Sequence, residues 1–523
     1  MTQTPGAVSI IQLPTELIRI LRYFSWQPQI EADFSRGIVR DLPRSSIPAG
    51  GVYDAVDFLV DQPGLLRKRG GTSYQSSTLG ATTTGVNFVM SAEYPTGTKV
   101  MGLGADGNLY DATSGSTSSI GSFGITTLDT PKLFVDKVIV AASDGTTAPK
   151  KIYVSGGTLT VANWGGSPPA GKLVTVHLSR PVLGAPSANP ERIYFGPVPD
   201  PEGTWDTTNA YIDTNHSLTA IAPIQGVLCC FSAGATERII GDTPPGTTGE
   251  NMSLQPIGQI GCADARSIAP WGSYLVFASQ EGVYVTNGAG FDSLTEKTDG
   301  TGILSYWRQQ YATVVANSGF IAGGIVNRNY YILTLGYGST IVDTLVCYLP
   351  RKSWTRTANI GCQMYSSAYL GSDELYGATM SGHPGNRILK LSGILTPSAS
   401  NKNDADGTAV TPSVEFRMVG QGVGLKVYGD GHLTYDMRDA ASDNPTMAVQ
   451  IATGLEAEGG YNAVTESPLA ETTGEAVRKR FSTGKDAQAL NVKMTQSNAS
   501  SKTEIYLLEL DQRIYDLASE VAP

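Results

Sequence analysis

The four histidines of this chain, His177, His216, His383 and His432, lie far apart, and none opens an H-E-x-x-H or C-x-x-C arrangement of the kind that gathers metal ligands. The five cysteines, Cys229, Cys230, Cys262, Cys347 and Cys362, are odd in number, and two are neighbours inside an apolar run. That is a poor disulfide framework, so they are expected to be reduced core residues rather than metal or redox groups. Asp404-Ala405-Asp406-Gly407 has the carboxylates and glycine of half a calcium loop. The remaining oxygen ligands and the closing Glu are missing, and an exposed linker turn is the expectation.

Nucleotide and hydrolase chemistry are equally unsupported. There is no G-x-x-x-x-G-K-[ST] phosphate loop, and Gly420, Gly422 and Gly424 alternate without a following amphipathic helix. No G-x-S-x-G motif would expose a nucleophilic serine. Asp200-Pro201-Glu202-Gly203-Thr204-Trp205 superficially resembles the Asp-box turn of sialidase-like propellers, but its spacing is wrong and it occurs once. Glycoside hydrolysis needs two carboxylates across one bond, and with 47 acidic residues a pair in a groove stays open. The basic clusters Arg67-Lys68-Arg69 and Arg478-Lys479-Arg480 read as solvated surface or subunit contact. No catalytic, cofactor-binding or metal-binding residue is nominated, no cofactor is expected, and the chain is read as no enzyme.

The elements that would position any site are strands. Sixty glycines and 29 prolines among 523 residues, with 16% charged residues, suit short strands and tight turns. A net charge of −10 lacks the basic excess that gripping DNA requires. No signal-peptide core forms before Pro14, Glu16 and Arg19 break the first apolar stretch, and apolar runs such as Val227 to Phe231 are too short to span a membrane as a helix.

Residues 1–46 read as an N-terminal arm, where Leu17, Ile18, Ile20, Leu21 and Phe24 have near-helical spacing between Pro14 and Pro28. Residues 47–396 repeat a strand, a turn rich in Asp, Gly or Asn, and a partner strand every ~40–50 residues. Ala105-Asp106-Gly107-Asn108, Ser143-Asp144-Gly145 and Gln280-Glu281-Gly282 are such turns. Radial repetition of these units predicts a β-propeller of roughly six or seven blades; two β-sandwiches would use the same strands. Residues 397–407 are a polar linker, and 408–523 alternate as a small antiparallel β-sandwich. The fold class is therefore all-β: an arm, a β-propeller-like body and a small sandwich.

Three stretches carry a resemblance. They are Ile47 to Tyr74 with its Leu66-Arg67-Lys68-Arg69-Gly70-Gly71 turn; Arg192-Ile193-Tyr194-Phe195-Gly196 through Trp205 to Glu237-Arg238-Ile239-Ile240-Gly241; and Gly282-Val283-Tyr284 with the later Ser353-Trp354. Together, over 47–395, they resemble the β-propeller nozzle, or tail hub, proteins of short-tailed phages. That resemblance implies a virion protein made in the host cytoplasm and forming a homohexameric ring below a portal and adaptor. It further implies a plug, needle or fibre partner and an axial channel through which DNA passes without specific binding. A minor tail or baseplate protein of a long-tailed phage, or a carbohydrate-binding or depolymerising tail module, are the other readings. Trp205, Trp271, Tyr284 and Trp354 are candidates either for interfaces or for packing between blades.

Overall fold

The computed structural model describes residues 27–515 except 63, 80–85, 105, 116, 124–131, 135, 199, 368–373, 381–386, 398–402, 419–424, 439–445, 454–459, 465, 470–475, 488 and 497–501. The helix expected near Leu17 to Phe24, His383, and Gly420, Gly422 and Gly424 lie outside the described residues.

The turns set the architecture. Asp144 accepts the backbone N–H groups of Thr146 and Thr147, and Gly145 takes φ +65°. Gly156 and Gly157, both at positive φ, reverse the chain between Lys150–Ser155 and Thr158–Asn163. Hairpins built this way stack into antiparallel sheets of four. Six four-stranded sheets, and the first four strands of a ten-stranded one, make seven blades among the described residues. Blades 1 to 6 span 86–122, 132–163, 173–213, 220–258, 269–293 and 320–356. Blade 7 spans 362–390 and borrows its fourth strand, Ser73–Tyr74, from the start of the chain.

Apolar clusters run between every neighbouring pair of blades, so the ring is closed. Met364 and Ala378 of blade 7, Val89 of blade 1 and Val138 of blade 2 share one cluster. Phe134 meets Val174, Ile193 meets Ile221, and Phe231 meets Phe277 in the clusters that follow. Val276 and Leu333, then Ile332 and Leu375, complete the circuit. The body is a seven-bladed β-propeller.

One element was not expected. Leu304–Ala316, between blades 5 and 6, is an α-helix, started by the Asp41 carboxylate, which accepts the backbone N–H groups of Leu304 and Ser305. Its Trp307 is fully buried and donates its indole N–H to the Ser279 carbonyl.

The sandwich differs from expectation in composition. Its first sheet orders Val477–Ala487, Leu425–Arg438, Lys502–Tyr515, Leu66–Lys68 and Phe58–Leu59, with Gln27–Glu31 paired to Lys502–Tyr515. Its second continues blade 6 outward through Gly37–Ile38, Gly51–Val56, Ser413–Phe416, Leu490–Gln496, Met447–Thr453 and Asn462–Ala463. Tyr435, Phe481, Leu508 and Phe58 from one sheet share a buried cluster with Phe416, Val449, Val492 and Val52 from the other, and Phe34 joins it. Residues 27–68 thus pair within the sandwich and its join to blade 6, not as a free arm or a first blade. Both sheets offered edges that these strands could cover, and a pairing so distant in sequence leaves no local mark.

Candidate functional site

The densest polar chemistry lies where propeller and sandwich meet, and it is built from residues that the sequence reading placed on the surface. Arg69 ends the strand pair Phe58–Leu59 and Leu66–Lys68, and its side chain is 2% exposed. Its Nε donates to Asp57 Oδ1 at 2.6 Å; Nη1 donates to Asp404 Oδ1 at 2.8 Å and to the Gly70 carbonyl at 2.9 Å. Nη2 donates to Asp404 Oδ2 at 2.8 Å and to the Ala358 carbonyl at 2.9 Å. A guanidinium carries five N–H donors, so every one is used.

Both carboxylates are likewise engaged. Asp57, held at φ +59°, also accepts from Thr357 Oγ1 and the Ala358 N–H, while Asp404 also accepts from the Thr72 N–H and hydroxyl. Burial alone would lower the Arg69 pKa, but the fields of Asp57 and Asp404 outweigh it and raise it. The group is permanently charged. With all five guanidinium N–H groups used and the three side chains buried, the triad is a joint that ties the chain's early strands, the blade 6 to blade 7 connection and the turn at Asp404 together. This corrects two expectations: Arg67-Lys68-Arg69 is not a solvated patch, and Asp404 is not on an exposed turn. Arg67 pairs with Asp61 at 2.5 Å, and Lys68 is fully buried.

Further ion pairs brace the same seam. Arg356 of blade 6 reaches Asp54 at 2.9 Å and Asp343 at 3.1 Å; Arg40 reaches Asp54 at 3.1 Å. Tyr306 of the helix donates to Asp343 at 2.7 Å, and burial and that carboxylate raise its pKa. Within the sandwich itself, Arg44 joins Glu415, which Lys493 also contacts, and Arg417 joins Glu31. Arg40 and Arg44 both lie over the Tyr53 ring, 3.9 and 3.6 Å from its centroid. Buried pairs add little net stability over an apolar replacement, but they strongly disfavour any docking that leaves a charge unmatched. Their effect here is on register between the two bodies.

Other residues singled out in the sequence are not brought together. His177 is buried on the Leu173–His177 strand of blade 3, with Nε2 unpartnered, His216 is exposed after that blade, and His432 is in the sandwich. Among the described residues no group of three His, Cys, Asp or Glu side chains could hold a metal ion. All five cysteines are free and buried, and burial pushes the thiols of Cys229, Cys262 and Cys362 up to about 12.

The Asp200 to Trp205 segment is a clip between blades. Glu202 takes Lys151 at 2.5 Å and Lys137 at 2.9 Å from blade 2, and the Trp164 indole donates to the Pro201 carbonyl. Trp205 and Trp354 are buried packing residues; Tyr284, half-buried, stacks on Phe277, and Trp271, also half-buried, lies beside an exposed ring, Tyr274. Arg478 and Arg480 are exposed and pair across strands with Glu509 and Asp430.

The signal missed in the sequence was Asp57, an acid inside the apolar run Ala55-Val56-Asp57-Phe58-Leu59-Val60. An acid there demands a buried partner, and the nearby Arg69 was available.

No family model and no curated protein matches the chain. Solved structures similar to it include BamB from Moraxella catarrhalis, 12% identical, covering 65% of this chain and 91% of that one, with a TM-score of 0.34. The computationally designed Ika8 protein is 11% identical, covering 61% and 99%, with a TM-score of 0.35. The RRP9 WD40 repeats are 9% identical, covering 62% and 99%, with a TM-score of 0.39. The blade assignment rests on strand pairing and not on these likenesses.

Proposed function

We propose that the chain is a structural protein of a phage tail, forming a nozzle or hub ring around the DNA exit channel and taking part in genome retention and ejection. The observation that carries this reading is mechanical. A closed propeller is joined to a sandwich through one continuous ten-stranded sheet, and the seam is cross-braced by the buried Arg69, Asp57 and Asp404 triad. A part that must hold its shape under packaged-DNA pressure needs such a stiff connection between the body of a ring and the module that touches neighbouring subunits. The residues that resemble nozzle proteins supply the identity of the ring.

In this reading the partners are further copies of the chain, in a hexamer, a tail adaptor on the portal side, and a plug, needle or fibre protein distally. DNA slides through without specific binding, and a −10 subunit can furnish a wall that repels phosphate. The reading has no catalytic step, and its place is the virion. The test is imaging of purified virions carrying a small tag on this chain, with native mass spectrometry of the protein released from them. A sixfold ring on the tail axis is expected; a peripheral trimer, or absence from virions, overturns the proposal.

A further inference from the structure

We propose that the cleft between blades 5 and 6 at Trp271 and Tyr274 is a binding site for a neutral saccharide, an inference that does not depend on the tail reading.

The hairpin joining Ala269–Trp271 to Tyr274–Ser279 turns through Gly272, at φ +56°, and Ser273, placing Trp271 directly across from Tyr274. The two rings stand 5.8 Å apart with 38° between their planes, a shallow open V. Tyr274 is 45% exposed, one of few large apolar side chains left in solvent among the described residues. Beside them the cleft measures about 630 Å³, within the range of small-molecule sites. Val285, Leu294 and Leu349 line it with apolar surface, and Asn287, Asp292 and Lys352 supply its polar groups.

Those polar groups decide the ligand class. Lys352 Nζ lies 2.6 and 2.7 Å from the two Asp292 oxygens, so the charges cancel locally and neither a phosphate nor an ammonium finds an unmatched counter-ion. A pair this exposed contributes little to folding. What it offers is a strong donor beside a strong acceptor, with the Asn287 amide nearby, which is what a ring of hydroxyls requires. A pyranose presents such hydroxyls around its edge and C–H groups on its faces; the faces suit the aromatic V.

The site is preorganised from three blades. Lys352 sits in the left-handed region at φ 53°, just after the Leu349–Arg351 turn of blade 6, and Asp292 is on the outer strand Phe291–Ser293 of blade 5. The 286–290 turn is held by Thr286 Oγ1 donating to the Gly290 carbonyl and by Asn287 Oδ1 accepting from Ala289. Arg238 of blade 4 donates to the Gly288 carbonyl. Little has to be ordered on binding, which favours a weak but real affinity for a small ligand.

The experiment uses the full chain with neutral trisaccharides of glucose, galactose and N-acetylglucosamine, observed by saturation-transfer NMR and calorimetry. At least one is expected to bind with a Kd of about 0.1–10 mM. Trp271→Ala and Tyr274→Ala each should weaken it at least about tenfold while thermal melting of the exposed-site variant Tyr274→Ala stays near that of the parent. Asp292→Asn should weaken binding of the neutral sugar and, by leaving Lys352 without its counter-charge, add affinity for a sialylated trisaccharide. The inference is overturned if no trisaccharide binds, if binding survives both aromatic substitutions, or if inorganic phosphate competes for the site.

Discussion

Substituting Asp404→Ala removes one side of the buried joint and leaves the other in place. The carboxylate accepts four hydrogen bonds: two from Arg69 at 2.8 Å, one from the Thr72 N–H at 3.2 Å and one from its hydroxyl at 3.3 Å. Breaking a buried pair costs about 3–5 kcal/mol because the survivor is left without its counter-charge. Arg69 keeps Asp57 at 2.6 Å and two carbonyls, so the lower end applies, about 3 kcal/mol. Unfolding entropy of about 2.1 cal/mol/K per residue over 523 residues comes to about 1.1 kcal/mol/K. If the chain melts as one unit, its midpoint then falls by about 3 °C. Calorimetry of the parent, Asp404→Ala, Arg69→Met and the Arg69→Met, Asp404→Ala pair closes a double-mutant cycle. The pair should recover much of the loss, with a coupling of about 2 kcal/mol. An Asp404→Ala midpoint shifted by less than about 0.5 °C, or two substitutions that simply add, would refute the joint as described.

Two further outcomes follow from groups elsewhere in the ring. Burial holds the His177 imidazole down to about 4 from an ordinary 6.5, so between those values the unfolded chain takes up a proton that the folded chain refuses. Stability contributed by the neutral ring is whole above pH 6.5 and is lost as pH falls toward 4; His177→Leu should flatten the difference between urea midpoints measured at about pH 5 and about pH 7. Gly166 has φ +74°, and a β-carbon there would lie 1.7 Å from the Gly203 carbonyl oxygen. Gly166→Ala should therefore cost at least about 3 kcal/mol by denaturant unfolding, as the Glu202 clip opens. Gly157→Ala, at φ +84° with open space around it, should cost only the backbone penalty of about 1–2 kcal/mol. Equal losses at the two glycines would contradict the packing of that loop.

The propeller was legible because its determinants are local. The alternation of Tyr274-Leu275-Val276-Phe277-Ala278 and the Glu281-Gly282 turn into Val283-Tyr284-Val285 specify a hairpin whatever lies around them, and they form strands Tyr274–Ser279 and Gly282–Thr286. The helix Leu304–Ala316 was hidden because its N-terminal cap, Asp41, lies far away in sequence and its apolar stripe is narrow, with Trp307 and Val314 its buried residues. Residues 27–46 read as part of an arm and 47–68 as a turn and strand; which edges these strands cover depends on Ser413–Phe416 and Lys502–Tyr515, hundreds of residues later. The joint was obscured for a related reason: Asp404 sits in a stretch whose composition is that of a solvated turn, and its burial is imposed by Arg69 from the opposite end of the propeller. The aromatic cleft left a trace in Trp271-Gly272-Ser273-Tyr274, two large rings on a tight turn where small polar residues are usual.

Strands before the propeller, 27–68, and strands after it, 413–515, are interleaved in one sandwich, so the propeller is in effect inserted into that sandwich. During translation the early strands emerge first and must wait, their apolar faces uncovered, until Lys502–Tyr515 leaves the ribosome to pair with both Gln27–Glu31 and Leu66–Lys68. A polypeptide released early would carry finished blades beside half a sandwich, marked for chaperones or proteases by its sticky surface. Burial of the early strands therefore waits on the emergence of Lys502–Tyr515, and any chain stopped before that strand exposes apolar surface that the complete sandwich covers.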